Sequence, residues 1–158
     1  MALILDYNSL TTGILNYLKA NSSTLNNGVS NVTIIKDFTP DEYTLDARQY
    51  PAISINLRQN EQEREELGIG NQSRISVVCV WEIGCHSRAF TSYTALRQDT
   101  RLLTANVEQA IRADDTLSGT FINVDIKGVV FNNVVKKEGK YQKNSLIAVE
   151  TLNFLVNT

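Results

Sequence analysis

The stretch Arg74–Gly84, RISVVCVWEIG, decides the fold. Ile75, Val77, Cys79, Trp81 and Ile83 alternate with Arg74, Ser76 and Glu82, with Val78 and Val80 between the latter. Successive side chains of a strand point to opposite sides, so this pattern predicts a half-buried antiparallel strand. Trp81 belongs to the apolar row, which places it in a core rather than on a base-stacking platform. Upstream, Ala52–Leu57 is a second strand, opened by Pro51. Proline is tolerated at a strand start, where its missing donor costs little. Between them lies Arg58–Gln72, RQNEQEREELGIGNQ, polar and charged and closed by Gly68-Ile69-Gly70. The two runs predict a hairpin with a long charged loop at its tip.

Downstream, Ala89, Tyr93, Leu96, Leu103, Val107 and Ala110 recur every three or four residues, widened by Phe90 and Ile111. That spacing predicts a helix over Ser87–Ala113, ~40 Å long, whose apolar stripe must lie across a sheet. Arg97, Arg101, Glu108 and Arg112 form its polar side, with Glu108 placed to pair with Arg112. Asp114-Asp115 and Ser118-Gly119 end it. A shorter helix is expected over Asp6–Lys19, capped by Asp6 or Asn8. Asn21–Ser30 reads as a loop, Val32–Ile35 as a first strand, and Asp37–Tyr50 as a connection with a turn at Pro40-Asp41. Two strands close the chain, Thr120–Val135, with a bulge at Gly128, and Tyr141–Val156, joined by a turn over Lys136–Lys140. The expected architecture is one α+β domain over residues 1–158. Its order is α-β-β-β-α-β-β, a mostly antiparallel sheet packed by one long and one short helix.

Composition narrows the function. The chain has 158 residues, 42% of them hydrophobic, a net charge of −2, two Cys and one His. The length and apolar fraction suit a single folded core and exclude a disordered chain. Two Cys cannot build a disulfide framework, and with one His they leave few ligands for zinc. The near-neutral charge lacks the basic excess of an autonomous nucleic-acid binder. MALILDYNSL has no basic segment before its short apolar run, and no stretch reaches the ~20 apolar residues of a membrane span. A cytosolic protein is therefore expected.

Reactive chemistry is sparse. His86 follows Cys85 at the end of the third strand, where neighbouring side chains diverge, so no Cys–His dyad is expected. Gly68-Ile69-Gly70 precedes a strand rather than a helix, which is wrong for a phosphate-binding turn. No catalytic residue, metal ligand or cofactor site is expected, and the protein reads as no enzyme.

Charge placement is more informative. Asp37–Glu66 holds eight acids against three bases, a net of −5, while Lys127–Lys143 holds five Lys against one Glu, a net of +4. Both excesses fall on hairpin tips. One carries Glu61, Glu63, Arg64, Glu65 and Glu66, the other Lys136, Lys137, Lys140 and Lys143. Solvated loops explain such runs. A subunit interface explains them too, with the acidic tip of one copy meeting the basic tip of the next.

The segments AISINLRQNEQEREELG, ISVVCVWEIGCH, SRAFTSYTALRQDTRLLTANVEQAIRAD and INVDIKGVVFNN…LIAVETLNFLV together resemble the bacteriophage tail terminator family, lambda-type or Mu-type. The resemblance is one of element order and brings no invariant motif. It implies a structural virion protein at the tail and neck, made in the host cytoplasm during assembly. Such subunits form a ring, typically a hexamer, at the head-proximal end of the tail. The ring stops tube polymerisation and docks the head–neck connector. The implied partners are further copies of the chain, tail tube protein, connector protein, and sheath protein if the tail is contractile. Genomic DNA would pass through the lumen without sequence-specific binding. A head-side connector or stopper of the neck is the alternative, followed by a small-molecule-binding α+β domain and a nucleic-acid adaptor.

Overall fold

The structure is a computed structural model that describes residues 6–29, 31–32, 34–37, 50–66, 73–89, 93–121, 123–138 and 141–157. Helix and strand are mixed. The elements are α1 (Tyr7–Ala20), α2 (Ser22–Leu25), β1 (Ile34–Asp37), β2 (Ala52–Glu66), β3 (Ser73–Ala89), α3 (Tyr93–Ala113), β4 (Asn123–Glu138) and β5 (Tyr141–Asn157). The five strands form one sheet in the order β1-β2-β3-β5-β4. β1 runs parallel to β2, and the other neighbours are antiparallel.

The alternation in β3 becomes a core. Cys79, Trp81, Ile83 and Cys85 are fully buried with Ile53 and Ile55 of β2. The helices cover this face, α1 against β1 and β2 and α3 against β3 and β5. Ile14, Leu18, Leu103, Val107, Ala110 and Ile111 supply their side of the cluster. Trp81 Nε1–H donates to Thr11 Oγ1 at 3.1 Å, and Thr11 Oγ1 donates to the Tyr7 carbonyl at 2.8 Å. The Trp81 ring also meets Phe121 edge-on, centroids 5.7 Å apart. Each buried polar tip is thereby satisfied, the condition under which a buried tryptophan stabilises. The Tyr17 hydroxyl donates to the Ala110 carbonyl and ties α1 to α3. Burial, with the charge of Asp114 second, raises its pKa.

Local chemistry sets the helix ends. Asp6 caps α1, accepting from the Asn8 and Ser9 amides at 3.1 Å each and from Ser9 Oγ at 2.6 Å. The Ser9 hydroxyl, foremost, lowers the Asp6 pKa. After α3 the chain turns through Leu117, Ser118 and Gly119, all at positive φ. Leu117 is fully buried, so packing offsets the cost of a left-handed leucine. Asp114 holds this turn, accepting from Thr116 Oγ1 at 2.6 Å, the Thr116 amide at 3.0 Å and the Ser118 amide at 2.8 Å. These bonds, that from Thr116 Oγ1 first, lower its pKa.

Several expected boundaries move. The expected loop Asn21–Ser30 contains the helical turn α2, held by burial of Leu25. Asn106 of α3 supports it, its Nδ2–H donating to the carbonyls of Leu25 at 3.1 Å and Asn27 at 2.8 Å. The first strand covers Ile34–Asp37 rather than Val32–Ile35. The long helix starts at Tyr93, because Ser87–Ala89 prolong β3 and pair with Leu146–Asn144 of β5. The largest correction concerns Arg58–Gln72. Its first nine residues are strand, not loop, and Gln59–Glu66 pair with Val80–Ser73. A polar strand is sustained here because its partner supplies β-branched residues, Val78, Val77 and Ile75 opposite Glu61, Gln62 and Arg64. Likewise Lys136–Glu138, expected in a turn, belong to β4, which runs Asn123–Glu138 rather than Thr120–Val135. The register shifts between Ile126 and Gly128, at the expected bulge.

Candidate functional site

Topology decides where the charged segments lie. β2 runs toward the tip that carries Glu61, Glu63, Arg64, Glu65 and Glu66, and β3 returns from it. β5 pairs antiparallel with β3, from Ser76↔Asn157 to Ala89↔Asn144. The turn between β4 and β5 therefore lies at the other end of the sheet. There Lys136 pairs with Lys143 and Lys137 with Gln142. Lys140 and Gly139 lie outside the described residues, as do residues 67–72 with Gly68-Ile69-Gly70. At ~3.3 Å per residue the two tips are roughly 60 Å apart along the strands. Each overhangs its neighbour. Ser73–Ile75 pair with β2 beyond the last β5 partner, and Tyr141–Lys143 pair with β4 beyond the last β3 partner.

The structure thus brings together the described residues of each charged set, Glu61, Glu63, Arg64, Glu65 and Glu66 on one side and Lys136, Lys137 and Lys143 on the other, and separates the sets. Asn60–Glu66 hold four carboxylates and one guanidinium, a net of −3. Lys136–Lys143 hold four ammonium groups and one carboxylate, a net of +3. The sheet is a body with an acidic pole and a basic pole. The sequence displays both charge runs; their opposition depends on β5 pairing with β3 as well as with β4, which no periodicity encodes.

A second arrangement was not anticipated. His86, expected as an ordinary strand-end residue, is 3% exposed, and its Nε2 lies 2.8 Å from Ser54 Oγ, also 3% exposed. In the ladder Ser54 pairs with Gly84, so His86 is its diagonal neighbour. A Cβ on Gly84 would collide with Ser54 Oγ and crowd the imidazole. The missing side chain is what lets serine and histidine meet across it. A serine bonded to a histidine is also half of a base-activated nucleophile. Buried this deeply, the pair gives a substrate no approach and instead cross-links β2 to β3.

Other candidate chemistry stays quiet. Cys79 and Cys85 are buried free thiols, and burial raises the Cys79 pKa, which disfavours the reactive thiolate. Among the described residues no group of three or more His, Cys, Asp and Glu is placed to hold a metal. No described helix is long and apolar enough to cross a membrane. Arg97, Arg101 and Arg112 are exposed on α3, with Asp99 exposed among them and Glu108 half-buried. No protein-family model and no curated protein matches the chain.

Proposed function

We propose that this chain is a structural subunit of the phage tail terminator type, with no enzymatic activity. Its body is a mostly antiparallel sheet packed by one long and one short helix. Copies form a ring, a hexamer by the resemblance, at the head-proximal end of the tail, in the virion neck. The ring ends growth of the tube, and of the sheath in a contractile tail, and it presents a docking surface to the head–neck connector. DNA passes through the lumen without being read.

The observation that carries this reading is the polarity of the sheet. A subunit with opposite charge at its two ends makes a head-to-tail contact with its own kind, and repeated head-to-tail contacts close into rings when the rotation permits. Opposed charge sets register and speeds encounter more than it adds affinity. A body organised around one buried tryptophan and two charged poles needs no active site for that task.

Electron microscopy of tails assembled without this protein tests the proposal. Tails of uncontrolled length are expected. Tails of normal length that fail to join heads would overturn termination and make the chain a connector.

A further inference from the structure

The described strands leave two long edges. On its outer side β2 pairs only over Ala52–Ile55, with β1. β4 is the last strand on the opposite side of the sheet. Among the described residues, Asn56–Glu66 and Asn123–Glu138 therefore have no ladder partner on their outer sides. Open edges of this length are templates for another strand. These two are also of opposite charge where each reaches its pole, net −3 over Asn60–Glu66 of β2 and net +1 over Lys136–Glu138 of β4, with Lys143 of β5 paired to Lys136 behind that edge.

Their directions match as well. β2 runs toward the acidic pole and β4 toward the basic pole. A second copy, shifted along the strands without being turned over, would bring its β4 beside the first copy's β2 in antiparallel sense. We infer that copies of this chain join head to tail by strand addition, the acidic half of β2 in one copy pairing with the basic end of β4 in the next. Each alternative is disfavoured by charge. The acidic half paired with itself would set carboxylate against carboxylate, and the basic end paired with itself would set lysine against lysine. The same charges keep either edge from pairing promiscuously. The contact uses two different edges, so it propagates in one direction, as a ring if it closes and as a fibre if it does not.

The inference rests on the head-to-tail reading above and not on what the assembly caps. Amide hydrogen exchange, read by mass spectrometry at low and high protein concentration beside particle mass and electron microscopy, tests it. Exchange in Asn60–Glu66 and in Val134–Glu138 should slow about tenfold or more as the particles grow. The variant Glu63→Lys with Glu65→Lys should keep its circular dichroism and lose that slowing. Rings that form while both segments exchange at the monomer rate would overturn strand addition and leave the ring reading intact. Slowed exchange in open fibres would support strand addition and overturn the ring. A chain that stays monomeric at millimolar concentration would overturn the inference.

Discussion

The middle of the sheet and its two ends are built on different physics. In the middle, Cys79–Ser87 of β3, apart from half-buried Glu82, and Ala52–Ile55 of β2 are buried, held by apolar packing and by the polar contacts of Trp81 with Thr11 and of Ser54 with His86. Toward one end β2 continues into an acidic segment paired with β3, and at the other end β4 and β5 pair through a basic one. The contrast teaches that strand length and burial are separate quantities in this molecule. Apolar alternation sets where the core lies, whereas backbone pairing sets how far the strands run. Mutations should respect that division, with stability residing in the middle and association at the poles.

The largest effect is expected at Trp81. Trp81→Ala removes a fully buried ring together with its bond to Thr11 and its contact with Phe121, and should cost about 3–5 kcal/mol in denaturant unfolding. Next comes the opposite face of the same strand. Gly84→Ala drives a methyl group into Ser54 Oγ and should cost about 1–3 kcal/mol. Ser54→Ala removes the hydroxyl paired with His86 Nε2 in a buried site and should cost about 1–3 kcal/mol.

How much of this the sequence discloses follows the same division. Alternation in Arg74–Gly84 marks Cys79, Trp81 and Ile83, all fully buried. Helical spacing marks Leu96, Leu103, Val107 and Ala110, also buried, and Asp6 is legible as the α1 cap. Each is a local pattern with a local cause. The strand character of Arg58–Glu66 is hidden because it depends on a pairing partner that its own polar sequence does not announce, the residues of β3 lying opposite in the register. Thr100, Thr104 and Asn106 are buried polar residues on α3 that break its apolar stripe. The two threonines satisfy themselves on the carbonyls of Leu96 and Thr100, four residues back, and Asn106 on those of Leu25 and Asn27. The Ser54–His86 pair is hidden for a similar reason, since its signal is a glycine that matters only once the register is known. Of the candidate site, the charges of Glu61–Glu66 and Lys136–Lys143 are legible and their placement at opposite poles is not.

Acid should act on the turns before it acts on the core. Asp6 and Asp114 both titrate below their ordinary value of 3.8 in the folded chain. The unfolded chain therefore binds their protons first as pH falls. Their stabilising contribution is complete above that ordinary value and is lost as pH drops through the depressed folded values. Urea midpoints measured from about pH 5 down to pH 2 should decline, and Asp114→Asn should flatten part of the decline.

The smallest effects on stability are expected at the poles. Lys137→Glu with Lys140→Glu should shift unfolding by no more than about 0.5 kcal/mol, the ordinary range for surface changes, while weakening association of the chain. High salt should weaken it in the same way, because exposed charges are screened. Normal assembly in the double variant would remove the basic hairpin from the account.

Mixing two charge-reversed proteins tests head-to-tail assembly most directly. Glu63→Lys with Glu65→Lys makes both poles basic, and Lys136→Glu with Lys137→Glu makes both acidic. Light scattering should find each variant dissociated alone, and the equimolar mixture restored to the particle mass of the unaltered chain. A mixture that stays dissociated while the unaltered chain assembles, or variants that assemble unaided, would contradict it.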